Sequence, residues 1–246
     1  MSELNAQPEG LRIPEAFLGG LVDSDGLFDP EEEIRDAVWM GIVRGVNDPA
    51  QFVDVIRDAV DDGKDHGSEL SDEQCGRIAQ YLIDARREQQ RGFGHVPETP
   101  LDRAFDALRR VRIVAEEDFA CCGTCGAARI GREQAHELDQ WLGYVFFHRL
   151  DTEMLIRTGR VYLDYGIFWP AHLSRNKFDA MTGQQREELY KSRAIALMRT
   201  VVIPVLEAHG IDVFWNGSFD TRIMLNDVEW YAPLQSHVVP KRSLVS

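Results

Sequence analysis

The sequence predicts an α+β protein, a small antiparallel sheet packed with helices and preceded by an acidic all-helical region. Two textures and one charge step carry that expectation. Up to about residue 95, apolar residues recur at helical spacing behind recognisable caps. After residue 143, short β-branched and aromatic runs take over. Residues 1–100 hold 22 Asp and Glu against 9 Lys and Arg, a net of −13, whereas residues 101–246 hold 19 against 18. The domains are accordingly expected at residues 1–95 and 96–246, parted at the Gly- and Pro-bearing stretch 91–97.

Each element has its own signal. Asp29-Pro30-Glu31-Glu32 places a capping Asp before a first-turn Pro, and Ile34, Val38 and Ile42 then follow at helical spacing. Asp48-Pro49 repeats the device before Phe52, Val55 and Ile56, and Ser71-Asp72-Glu73-Gln74 opens a third helix through Ile78 and Leu82. A polar loop is read at residues 61–67, and Asp23-Ser24-Asp25-Gly26 is read as a capped loop rather than a calcium loop, because its Gly comes too early. Thr99-Pro100-Leu101-Asp102 starts a fourth helix with Ala104, Phe105 and Leu108 on one face.

Gly143–Phe147 reads as a buried strand, and Val161, Leu163 and Tyr165 alternate with Tyr162 and Asp164 in a second. Thr182 to Gln185 forms a capping box for a long helix, which Pro204 should bend or end. Residues 211–215 and 221–225 flank Asn216-Gly217 and read as a hairpin on a tight turn.

The totals bound the function. A chain of 246 residues with 44% hydrophobic and 28% charged residues can bury a sizeable core. No apolar run approaches the ~20 residues that span a bilayer. The first residues lack a basic and an apolar region, so the expectation is a cytoplasmic protein with reduced thiols. Its net charge of −14 argues against nucleic acid or an anionic membrane as partner. There is no P-loop, no G-x-G-x-x-G and no G-x-S-x-G. His136-Glu137 lacks the second His of a zinc-protease helix, because Gln140 stands in its place.

The candidate site is FACCGTCG, residues 119–126, which holds three of the four cysteines. Cys122-Gly123-Thr124-Cys125 has the spacing of a zinc hook, and its glycines suggest a chain curled around an ion. A tetrahedral site needs a fourth ligand, and His148, at the end of the first strand, is the candidate, with Asp151 to ligate or to orient its ring. The rival is thiol–disulfide chemistry at a helix N-terminus. Against it stand the acidic Glu116, Glu117 and Asp118 just upstream and the lack of a visible βαβ frame. Cysteines that only pack in a Gly-rich turn are the third possibility.

Cys121-Cys122-x-x-Cys125-Gly126, Gly143-Tyr144-Val145-Phe146-Phe147-His148-x-x-Asp151-Thr152 and Trp215-Asn216-Gly217-Ser218 together resemble a bacterial family of domains of unknown function, common in actinobacteria. The resemblance spans about residues 99–232 and leaves the acidic helices outside. This chain carries Arg149 and Leu150 where family members typically show an amide. The resemblance implies a shared fold and brings no activity with it.

The functional expectation is a structural zinc site on Cys121, Cys122, Cys125, His148 and Asp151, in a protein that meets a protein partner through its acidic face. The alternatives are a thiol oxidoreductase or zinc hydrolase using the same cluster, and an acidic inhibitor or immunity-type protein with purely structural cysteines.

Overall fold

The computed structural model describes residues 2–19, 21, 29–60 and 70–234. The expected loops at 61–67 and 23–26 lie outside the described residues. The chain forms two compact units, one of residues 5–97 with the chain from Tyr231 on, the other of residues 1–4 and 98–230. Among the described residues no helix is long and apolar enough to cross a membrane.

The first of these units is helical. Its elements are α1 (Glu15–Leu18), α2 (Pro30–Val43), α3 (Val53–Val60) and α4 (Asp72–Gly92). The caps work as read. Asp29 accepts hydrogen bonds from the Glu31 and Glu32 backbone N–H groups, and Ser71 and Gln74 form a reciprocal capping box. After Asp48 the chain makes a 3₁₀ turn, Pro49–Phe52, before α3 begins. Ile34, Val38, Ile42, Phe52, Ile56, Ile78 and Leu82 share one core, and that is the face their spacing marks out. Cys75 lies in this core, fully buried, and burial raises its thiol pKa. The other three cysteines belong to the second unit.

The second unit is α+β. It comprises α5 (Pro100–Arg110), β1 (Ile113–Glu116), α6 (Gly123–Glu133), β2 (Gly143–Phe146), α7 (Arg149–Thr158), β3 (Val161–Ile167), α8 (Arg175–Asp179), α9 (Gly183–Leu197), α10 (Ile203–Ala208), β4 (Asp212–Phe214) and β5 (Ile223–Asn226). The sheet order is β1-β2-β3-β5-β4.

Three details add to or differ from the sequence reading. The sheet has five strands and is mixed, because β1 pairs parallel to β2 while the other pairs are antiparallel. β1, α6 and β2 therefore form a βαβ unit, a frame that the sequence does not make visible; a four-residue strand with only three apolar residues gives a weak local signal. The β4–β5 hairpin is real, but its connection is a long loop instead of a two-residue turn. Gly217 alone takes a positive φ there, 79°, and Asn216 does not. The Tyr165 hydroxyl and the Trp215 indole N–H reach that loop's carbonyls at Ser218 and Thr221. Lastly, the helix from Gly183 opens into a π-helical turn, Met198–Val202, just before Pro204. Widening the turn relieves the contact that a ring without an N–H makes with the preceding turn.

Candidate functional site

β1 ends at Glu116, and the chain must turn back within six residues to start α6. It does so through two residues with positive φ, Asp118 at 47° and Ala120 at 59°. Non-glycine residues hold that conformation only where the surroundings enforce it. The enforcing bonds are visible. The Phe119 N–H donates to the Phe147 carbonyl at 2.9 Å and the Arg149 N–H donates to the Ala120 carbonyl at 3.2 Å. The Thr152 hydroxyl donates to Asp118 Oδ1 at 2.7 Å. Thus the His148-x-x-Asp151-Thr152 motif fastens the cysteine loop from the other side.

Cys122 is the N-cap of α6, in extended conformation, with no side-chain capping bond. Cys125 sits in the first turn. The two glycines of Cys122-Gly123-Thr124-Cys125-Gly126 have a role that the sequence did not reveal. A Cβ on Gly123 would lie 2.8 Å from Asp164 Oδ1, and one on Gly126 would lie 2.3 Å from the Phe146 ring. Phe146 and Asp164 are partners in the β2–β3 register, so they stand side by side on one face of the sheet. The glycines, three residues apart, therefore let the helix start press directly onto that face. They let the start of the helix pack on the sheet. Ala127 and Ile130 continue the contact, packing with Phe119, Tyr144 and Phe146.

The three sulfurs of Cys121, Cys122 and Cys125 all lie within 4.8 Å of one another, close enough to hold a metal ion. Cys121 and Cys125 are exposed and Cys122 is half-buried, and all are free thiols. The hydrogen bond from the Cys125 backbone N–H, then that from its thiol, hold the Cys122 pKa below its ordinary value. Cys125, hydrogen-bonded to Cys122 and Cys121, is pushed up to about 11. Two of the three acidic residues upstream, expected to raise the thiols, hold hydrogen bonds elsewhere. Glu117 accepts a hydrogen bond from the Trp230 indole at 2.9 Å, and Asp118 accepts the one from Thr152.

His148 and Asp151 stand in a neighbouring group, with Asp164 as its third member. His148 is the N-cap of α7, and its Nε2 lies 3.1 Å from Asp151 Oδ2. Arg222 completes the group. Its Nη1 donates to Asp151 Oδ1 at 3.2 Å, its Nη2 pairs with Asp151 Oδ2, and Nη2 also lies 3.0 Å from Asp164 Oδ2. The guanidinium thus supplies the positive charge that two adjacent carboxylates demand. Burial raises the Asp164 pKa, with the Arg222 charge opposing it.

The five residues singled out from the sequence therefore lie in two groups, three thiols in one and His148 with Asp151 in the other. The groups are joined through Asp164, which touches Gly123 and Arg222 alike. Asp164 and Arg222 were missed as site residues. The alternation of β3 marks Asp164 as a residue pointing away from its apolar neighbours, but nothing local marks Arg222, 71 positions from Asp151.

A family model described as Domain of unknown function (DUF6891) matches residues 28–233. No curated protein and no solved structure matches the chain. The family match reaches well beyond residues 99–232, the span of the resemblance in motifs. It takes in α2, α3 and α4, so the acidic helices belong to the shared domain.

Proposed function

We propose that this chain, which belongs to the family Domain of unknown function (DUF6891), carries a thiol–disulfide centre in which Cys122 attacks and Cys125 resolves. One observation carries the reading: the Cys-x-x-Cys opens a helix directly after a strand, within a βαβ unit. A helix N-terminus offers free N–H groups and a partial positive charge, which favour a thiolate. The opposite displacements of the two thiols support the same division of labour, one ionised early and the other kept protonated in reserve.

In this scheme the Cys122 thiolate attacks one sulfur of a substrate disulfide. The substrate's other sulfur leaves as a thiolate and takes a proton from water. Cys125 then loses its proton to solvent and attacks the Cys122 sulfur of the mixed disulfide. The second substrate thiol departs, and a Cys122–Cys125 disulfide remains, two electrons having passed to the substrate.

The test is trapping. Cys125→Ser should accumulate a stable mixed disulfide on Cys122 with a small aromatic disulfide, visible by mass spectrometry. The unsubstituted protein should release both halves and close an internal bond. Equal trapping at Cys121 and Cys122, or no internal bond after oxidation, would overturn the reading.

A second reading rests on the three sulfurs within 4.8 Å of one another. Zinc held by Cys121, Cys122 and Cys125 would keep a fourth position for water or a donor from a partner, with His148 and Asp151 in the adjoining group. Separately, the acidic helices would offer a face to a protein partner. Zinc content of protein purified without chelator or immobilised nickel distinguishes the two. Either chemistry needs reduced thiols, which fits a cytoplasmic location.

A further inference from the structure

We infer that Cys121, Cys122 and Cys125 form a three-sulfur site for a thiophilic ion that takes three pyramidal ligands, trivalent arsenic being the type. The inference uses the reduced thiols alone. It does not depend on the disulfide scheme.

Donor count is the first argument. Three sulfurs lie within 4.8 Å of one another, and among the described residues no fourth His, Cys, Asp or Glu donor joins them. In the neighbouring group Asp151 and Asp164 pair with Arg222 and His148 Nε2 pairs with Asp151, while the buried His148 Nδ1, without a hydrogen-bond partner, is not grouped with the sulfurs. Cys75 is buried in the helical unit. A tetrahedral ion would have one position unfilled by the protein. An ion with a lone pair in that position is complete with three sulfurs.

Donor type is the second argument. The set is all sulfur, without imidazole or carboxylate, and such sets favour soft ions over harder ones.

Access and rigidity are the third. Cys121 and Cys125 are exposed, so an ion can enter from solvent. The turn that carries the thiols is held on both sides. Gly123 and Gly126 press on Asp164 and Phe146, and the Phe119 and Arg149 N–H groups tie it to the neighbouring segment. Little ordering remains for the ligand to impose, which favours affinity. Cys121 gains a role here that the disulfide scheme does not give it.

The reaction balances without an oxidant. Arsenous acid and three thiols give three As–S bonds and three molecules of water.

The experiment uses the reduced full-length chain titrated with sodium arsenite and read by native mass spectrometry. The expected product has one arsenic and has lost three protons, with Cys121, Cys122 and Cys125 protected together from alkylation. Cys121→Ser should weaken binding by about 100-fold, as loss of one chelating arm does, while Cys75→Ser leaves it unchanged. Far-UV circular dichroism checks that the variants are folded, and Cys125→Ser provides a second three-to-two comparison. An adduct that keeps an As–OH and loses only two protons, insensitive to Cys121→Ser, would overturn the three-sulfur site. So would displacement of the arsenic by an equal concentration of zinc. Cys121→Ser should still form the Cys122–Cys125 disulfide, and failure of the unsubstituted chain to bind arsenite while it forms that disulfide on oxidation sinks this inference alone. Loss of the disulfide with arsenite binding retained sinks only the redox reading.

Discussion

Two neighbouring thiols in the same turn are held on opposite sides of the ordinary thiol range, and the difference is local in origin. Cys122, at the N-cap, receives the Cys125 N–H and thiol hydrogen bonds; Cys125 gives them. A lowered pKa keeps the thiolate populated as pH falls, so alkylation of Cys122 should set in at lower pH than that of an unperturbed cysteine. Cys125, held near 11, should lag well behind it. Site-resolved alkylation across pH 5–11 checks the order, and equal midpoints would refute it. The charged group next to it makes a second prediction. Arg222→Met leaves Asp151, 7% exposed, without its bidentate partner. Because Arg222 is itself about a third exposed, the expected loss is about 2 kcal/mol, less than the ~3–5 for a fully buried pair. The urea midpoint measures it.

At the scale of the element, α6 is a short helix whose two glycines at the start set how close it comes to the sheet. Gly126→Ala puts a methyl into the Phe146 ring and should cost about 1–3 kcal/mol as overpacking. Gly131, in the same helix, meets nothing within 4 Å. Gly131→Ala should therefore stabilise by about 0.5–1 kcal/mol, the helix-propensity difference. Thermal midpoints of the two variants should move in opposite directions, and a common direction would refute the packing argument. Much of this level could be read along the chain. Asp29, Ser71, Thr99 and Thr182 cap the helices that they announce. Capping depends on groups within three residues of each other, which is why it is legible. The parallel pairing of β1 was not, since its partner lies thirty residues on and is chosen by packing.

At the scale of the whole molecule, the chain crosses from one compact unit to the other after Pro97, where α4 has ended and Gly94 takes a φ of 71°. The division at residues 1–95 and 96–246 is a proposal about folding, and limited proteolysis tests it. The first cut is expected within residues 93–97. Early cleavage inside residues 100–230 would speak against separate units. The helical unit also includes Tyr231, whose ring lies 5.4 Å from the buried Arg86 guanidinium, and the Leu234 N–H donates to Gln90. A fragment ending at residue 95 would lack both contacts and should be less stable than the same helices in the full chain.

What the sequence by itself determined is what near neighbours decide: the helix starts, the apolar faces, the buried strand at 143–146 and the place of the thiol cluster. Hydrogen bonds and side-chain periodicity over a few residues carry these signals. Only the tertiary structure decided what surrounds the thiols. The β2–β3 register sets Asp164 beside Phe146 under the two glycines. Arg222 reaches two carboxylates from a loop 71 residues beyond Asp151. Thr152 bonds the side chain of Asp118, whose backbone is left-handed. Each of these joins groups distant in sequence. Charge neutralisation and close packing act through space, so the residues that surround the cysteine turn leave no mark beside it in the chain.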